Sequence, residues 1–119
     1  MTQPAWLAQA KMAALDLRAT TRGERGAKHH VYVVLLRNPA RLEPLGLYVG
    51  QTSRDPDLRL DQHKAGYKAS GAVRRFGIRL LPGLVQHLNP MRHWESLDLE
   101  AALAEAFRNA GVPWVEGGH

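Results

Sequence analysis

The 119-residue chain has no cysteine. That excludes a disulfide framework, cysteine-bound zinc and thiol catalysis, and leaves the redox compartment open. It also has no apolar run approaching the roughly 18–20 residues that span a bilayer, which excludes a membrane-spanning helix. The segment after Met1 is broken by Gln3, Gln9, Lys11 and Asp16 before it can serve as the apolar stretch of a signal peptide. A cytoplasmic location is therefore expected. Internal repeats and low-complexity tracts are missing too. What is present is the composition of one ordinary folded domain, with 45% hydrophobic and 23% charged residues. A chain of this length buries about two-thirds of its surface around a single core.

The net charge of +5 is unevenly distributed. Residues 18–41 hold six basic side chains against one acidic, and residues 54–79 hold seven against three. The last forty residues hold two basic against five acidic. Twelve of the sixteen cations are Arg, the side chain that grips a phosphate through two parallel hydrogen bonds. Two basic blocks in one domain point to a phosphate-facing surface, hence nucleic acid, against the plainer reading of a solvated basic surface.

Helical spacing of Trp6, Ala10, Ala13 and Leu17, with Pro4 at the start, predicts a helix over 4–18. Thr20 to Lys28 has two glycines, high charge and no large apolar residue, the pattern of a linker. The expected division is an N-terminal helix and basic linker over 1–28, an appendage or packing arm, and a domain over 29–119. Within the domain, Val31 to Leu36 is a β-branched, apolar run of strand length, suited to burial on both faces. A loop over 37–45 leads to a second strand at Leu47-Tyr48-Val49, giving an antiparallel hairpin. Asp55 and Pro56 open a helix that runs to Lys64 and stops at Gly66. A short helix is expected over 72–77, and a third strand within Ile78 to Leu88, interrupted by Pro82 and Gly83. The last helix spans Ser96 to Ala110, stopped by Gly111 and Pro113. Gly117 and Gly118 read as the plain end of the chain. The fold class is α/β (α+β): a small three-stranded antiparallel sheet flanked by helices.

Chemistry concentrates in an ordered series. His30-Val31-Tyr32 begins one strand and Tyr48-Val49-Gly50-Gln51-Thr52 ends the next. Arg59 and His63 lie four residues apart on one helix face, and Glu100 lies on the last helix, with Glu105 in a second A-x-x-x-E register. Taken alone, each has a plain reading: Tyr32 and Tyr48 as core aromatics, Arg59 and His63 as a solvated helix face, and Glu95, Glu100 and Glu105 as surface charge. In this order, however, YVGQT followed by RLDQHKAG resembles the GIY-YIG nuclease superfamily, with HVY in place of the first motif and YVG as the second. The resemblance covers about residues 29–111. It implies a GIY-YIG nuclease-like domain with an extra N-terminal helix and an endonuclease activity that hydrolyses the phosphodiester bonds of DNA.

Hydrolysis of a phosphodiester needs an activated water, stabilisation of charge on the phosphate oxygens and help for the leaving oxygen. The resemblance assigns Glu100 to a Mg²⁺ or Mn²⁺ ion, with Glu105 as the fallback, and Arg59 to the phosphate. Tyr48 or Tyr32, with His63, would position or deprotonate the water, and the choice of base stays open. Arg54, Lys64, Lys68, Arg74 and Arg75 form an expected backbone-contacting rim, and Tyr67 is placed to stack on an unpaired base. His29, His30 and His119 lack metal-site spacing and read as structural or exposed.

Two departures from the family stand out. His30 replaces the Gly that opens its first motif, and no second recognition domain accompanies the core. Little intrinsic sequence specificity is therefore expected, or a protein partner that supplies it. The expected substrate is DNA, whether single-stranded, branched or duplex, and RNA stays open as a further candidate. The alternative is a catalytically weak or inactive nucleic-acid-binding module of the same fold, or else an unrelated α/β interaction protein.

Overall fold

The computed structural model describes residues 3–65 and 70–118. Helix α1 (Leu7–Leu15) precedes strands β1 (His30–Arg37) and β2 (Leu45–Thr52). Helices α2 (Pro56–Lys64) and α3 (Gly71–Phe76), strand β3 (Gly77–Leu80) and a single 3₁₀ turn (Pro82–Leu84) follow. Helix α4 (His93–Asn109) and strand β4 (Val115–Gly117) complete an α+β domain. The sheet runs β3-β1-β2-β4. Strands β1 and β2 pair antiparallel with Tyr32 opposite Gly50 and Val34 opposite Tyr48, and β3 pairs antiparallel with the outer half of β1.

The sheet is thus four-stranded and mixed, where three antiparallel strands were expected. Strand β4 runs parallel to β2, with Leu47 opposite Val115 and Val49 opposite Gly117. Three residues that include a charge and a glycine have no apolar alternation to betray them. They form a strand because the Leu47 N–H donates to the Trp114 carbonyl (2.9 Å) and the Gly118 N–H to the Val49 carbonyl (3.1 Å). Gly117 and Gly118 have φ of 81° and 83°, a backbone region that side chains resist. A Cβ on Gly117 would strike the Val49 carbonyl and one on Gly118 the Ala104 side chain. They dock the segment rather than merely ending it.

Strand β1 is buried on both faces from Val31 to Leu36, and its alternation divides the interior. Val31, Val33 and Leu35, with Leu47 and Val49 of β2, join Leu99, Leu103 and Phe107 of α4 in the larger cluster. Tyr32, Val34 and Leu36 face the other way, with Val73 of α3 and Trp114. Helix α1, shorter than the 4–18 span expected, puts Ala10 and Ala14 (each 0% exposed) into the larger cluster. It packs on α4 and on the 3₁₀ turn, so it is part of the core rather than an appendage. The predicted linker is pinned as well, since the backbone N–H and hydroxyl groups of Thr20 and Thr21 all donate to the Glu95 carboxylate at 2.6–2.8 Å. Glu95, expected on the surface, is 5% exposed.

Local signals explain where α2 and α3 start. The Asp55 carboxylate accepts the Asp57 N–H (2.8 Å) and Pro56 takes the first position of α2, while Ser70 Oγ accepts the Val73 N–H at the start of α3. Helix α4 begins three residues earlier than expected, where Thr21 Oγ1 accepts the Arg92 N–H (2.9 Å).

Candidate active site

Tyr32 and Tyr48 project from neighbouring strands onto the sheet face that α2 and α3 cover, and His63 descends onto them from α2. The ring centroids of Tyr32 and Tyr48 are 6.1 Å apart, those of Tyr48 and His63 5.7 Å, and those of Tyr32 and His63 6.3 Å. Gly50 makes this possible. It sits opposite Tyr32 in the β1–β2 register, and a Cβ there would lie 2.5 Å from the phenol Cζ and Oη. The glycine of Tyr48-Val49-Gly50 is required because the Tyr32 ring lies across its backbone.

His63 is 1% exposed and bonded through both nitrogens. Its Nδ1 accepts the Ser70 N–H at 2.9 Å, and its Nε2 is 2.9 Å from Tyr32 Oη. A backbone amide can only donate, so Nδ1 carries no proton and the neutral ring is the Nε2–H tautomer, donating to the Tyr32 oxygen. Burial, and then the Arg59 charge, hold the His63 imidazole down at about 4. At neutral pH it is an uncharged donor with no open acceptor, suited to positioning Tyr32 rather than to taking a proton.

The two phenols feel both remaining site residues. Burial, and then Tyr48, push the Tyr32 hydroxyl well above its ordinary value of 10.0; the Glu100 carboxylate adds to the rise and Arg59 opposes it. For Tyr48, burial and then Glu100 raise the hydroxyl, with Arg59 again pulling down. Opposed charges thus act on one phenol pair, and Glu100 is itself 8% exposed. Glu105, five residues further on, is exposed and lies about 140° around the helix from Glu100. Glu100 is therefore the carboxylate that acts on the phenols.

Tyr32 is only 3% exposed; Tyr48, half-buried, is the phenol that opens to solvent. It lines a cleft of about 610 Å³ with Arg59, His63, Ser70, Arg75 and Glu116. A second cleft of about 450 Å³ shares Arg59 with the first and includes Arg54. The expected basic rim is only partly assembled. Arg54 and Arg75 reach these clefts and Arg74 is exposed beside Arg75. Lys64 Nζ instead donates to the carbonyls of Arg74 (3.3 Å) and Gly77 (3.0 Å), tying α2 to the end of α3. Lys68, Tyr67, Gly66 and His119 lie outside the described residues.

No family model, curated protein or solved structure matches the chain. The chemistry of the site therefore follows from its own groups. Among the described residues no three His, Asp or Glu side chains converge to cage a metal ion. Mg²⁺ seldom uses such a cage: it is held by one or two carboxylates, with waters and substrate phosphates completing its shell. A single buried carboxylate whose charge acts on the phenols is a hard oxygen donor of that kind, so Glu100 fits the ion that the resemblance implies. Sequence reasoning missed Ser70, which sets the histidine tautomer, and Glu116, which walls the cleft. Ser70 carries a helix-cap signal; Glu116 carries none, because β4 brings it there.

Proposed function

We propose that this protein is a metal-dependent endonuclease of the GIY-YIG type that hydrolyses phosphodiester bonds of DNA with little intrinsic sequence specificity. The observation that carries the reading is the phenol pair acted on by Arg59 and Glu100 while a tautomer-locked His63 donates to Tyr32. A core tyrosine needs one hydrogen-bond partner; it does not need a cation and a buried carboxylate acting on it together. In this reading the Arg59 guanidinium holds the scissile phosphate and offsets charge gathering on its oxygens. The Tyr48 hydroxyl, open to the cleft, orients the attacking water. Tyr32 and His63 are positioning residues behind it: His63 Nε2–H fixes the Tyr32 oxygen, and the Ser70 N–H fixes the ring. Glu100 would hold Mg²⁺ or Mn²⁺, whose part is to polarise the phosphate and ease the departure of the leaving oxygen.

The test is incubation of the protein with labelled single-stranded, branched and duplex DNA and with RNA, in Mg²⁺ or Mn²⁺ and in EDTA, beside Glu100→Gln and Arg59→Ala. Cleavage that requires the metal is expected, with a fall of at least about 10²-fold in turnover for each variant. Oligonucleotide affinity should be kept in Glu100→Gln. Metal-independent cleavage, or full turnover in Arg59→Ala, would refute the mechanism. Tight binding without cleavage in any metal would leave the inactive binding module.

A further inference from the structure

Arg59 lines two clefts, and only the first is used by the reading above. Arg54 and Arg59, His29 and His93, and the hydroxyl-bearing Thr52 and Ser53 line the second. No carboxylate is among the described residues of its wall, whereas the first cleft includes Glu116 and the hollow beside the start of β1 includes Asp55 and Asp57. The wall is fixed in place from both sides. Thr52 Oγ1 accepts the Arg54 N–H at 3.0 Å, setting the turn that carries Arg54. The Ser96 hydroxyl lies 2.7 Å from the His93 carbonyl and 3.3 Å from Gln51 Oε1, joining the first turn of α4 to the end of β2. The rings of His29 and His93 are stacked with centroids 4.5 Å apart.

Two guanidinium groups on one wall, with no carboxylate among its described residues, favour an anion between them. Burial, and then the charges of His93 and His30, depress protonation of His29; a bound anion would offset those charges. Ionisable groups near the two histidines in the chain include His30 at the start of β1, and Arg92 and Glu95 at the head of α4. Glu95 is already bonded to Thr20 and Thr21, and Arg92 to Glu24.

We propose that this second cleft is a phosphate subsite, which takes the phosphate group of a nucleotide neighbouring the bond that is cut, between Arg54, Arg59, His29 and His93. The inference rests on the nuclease reading for its place along the substrate strand. Its ligand chemistry, a phosphate oxyanion, does not depend on cleavage. An internal diester and a terminal monophosphate share that chemistry.

The test uses the intact protein and begins with inorganic phosphate, followed through the histidine ring resonances. Phosphate should move the His29 and His93 signals and leave His87 in place, since that ring is bonded to the Ala14 carbonyl elsewhere in the fold. Phosphate should bind more weakly to His93→Gln than to the unaltered protein. Arg54→Gln and His93→Gln, both at exposed positions, should each weaken binding of a single-stranded oligonucleotide about tenfold. Arg54→Gln should also reduce the dependence on salt by roughly one phosphate contact. A 5′-phosphorylated oligonucleotide that binds about tenfold tighter than its unphosphorylated counterpart assigns the subsite to a strand end; equal affinities assign it to an internal diester. Ring signals unmoved by phosphate, or both variants binding as tightly and with the same salt dependence as the unaltered protein, would overturn the inference. Failure to cleave with the ring shifts intact would overturn the nuclease reading alone.

Discussion

Replacing Glu95 by Gln tests the tie between the N-terminal segment and α4. The buried carboxylate receives four hydrogen bonds, from the N–H and hydroxyl of Thr20 and of Thr21. Burial alone would push its ionisation up, but these bonds outweigh it and hold the group at about 2, against an ordinary 4.5. A difference of that size corresponds to about 3 kcal/mol of folding stability at neutral pH. The sign follows from the depressed native value. The contribution is complete above the unfolded value of 4.5 and is lost as the pH falls toward 2, at roughly 1.4 kcal/mol per pH unit. Urea denaturation at pH 7 should therefore show Glu95→Gln about 3 kcal/mol less stable, with a Tm lower by roughly 10 °C. The gap between the two proteins should narrow steadily from pH 4.5 down to pH 2. A Gln variant within about 0.5 kcal/mol of the unaltered protein at pH 7 would refute the clamp, and so would a gap that does not change with pH.

Gly50→Ala should cost about 1–3 kcal/mol by denaturation and remove cleavage, because the new methyl displaces the Tyr32 ring from His63. A variant as stable as the parent, with unchanged tyrosine ring shifts, would show that the ring does not lie there. Nitrogen NMR of His63 should find the Nε2–H tautomer and no protonation between pH 8 and pH 5. With its native value near 4 against an ordinary 6.5, the unfolded chain binds this proton first, so His63 lowers stability as the pH falls from 6.5 to 4. A His63 that titrates near 6.5 would contradict the double hydrogen bonding.

Much of the frame is legible in the order of residues along the chain. The apolar run from Val31 to Leu36 announces a doubly buried strand, and Asp55 with Pro56 announces α2, because these signals act within a few residues of the backbone they shape. The spacing of Arg59 and His63 can be marked for the same reason, whereas the succession of Tyr32, Tyr48 and Glu100 is marked only by its resemblance to the ordered motifs of a nuclease family. Glu95 cannot, since its partners Thr20 and Thr21 are 75 and 74 residues away in the chain. Residue for residue, it looks like any acid on a solvated helix face. Likewise, His29 and His93 come from opposite ends of the domain, and their stacking follows from the docking of α4 beside the entrance to β1.

By itself, then, the sequence determined the types of the helices and strands from α1 to α4, the burial of β1, and the absence of any apolar run able to span a membrane. Those are consequences of local periodicity, capping and charge, which act over a turn of helix or a pair of strands. Only the tertiary structure decided that β4 closes the sheet in parallel and that Ser70 selects the histidine tautomer. It alone brought Arg59 and Glu100 to bear on one pair of phenols, and made α1 part of the core. Each of these depends on groups far apart in the chain meeting across a packed interior, where burial strengthens hydrogen bonds and charges and leaves one arrangement that satisfies them together.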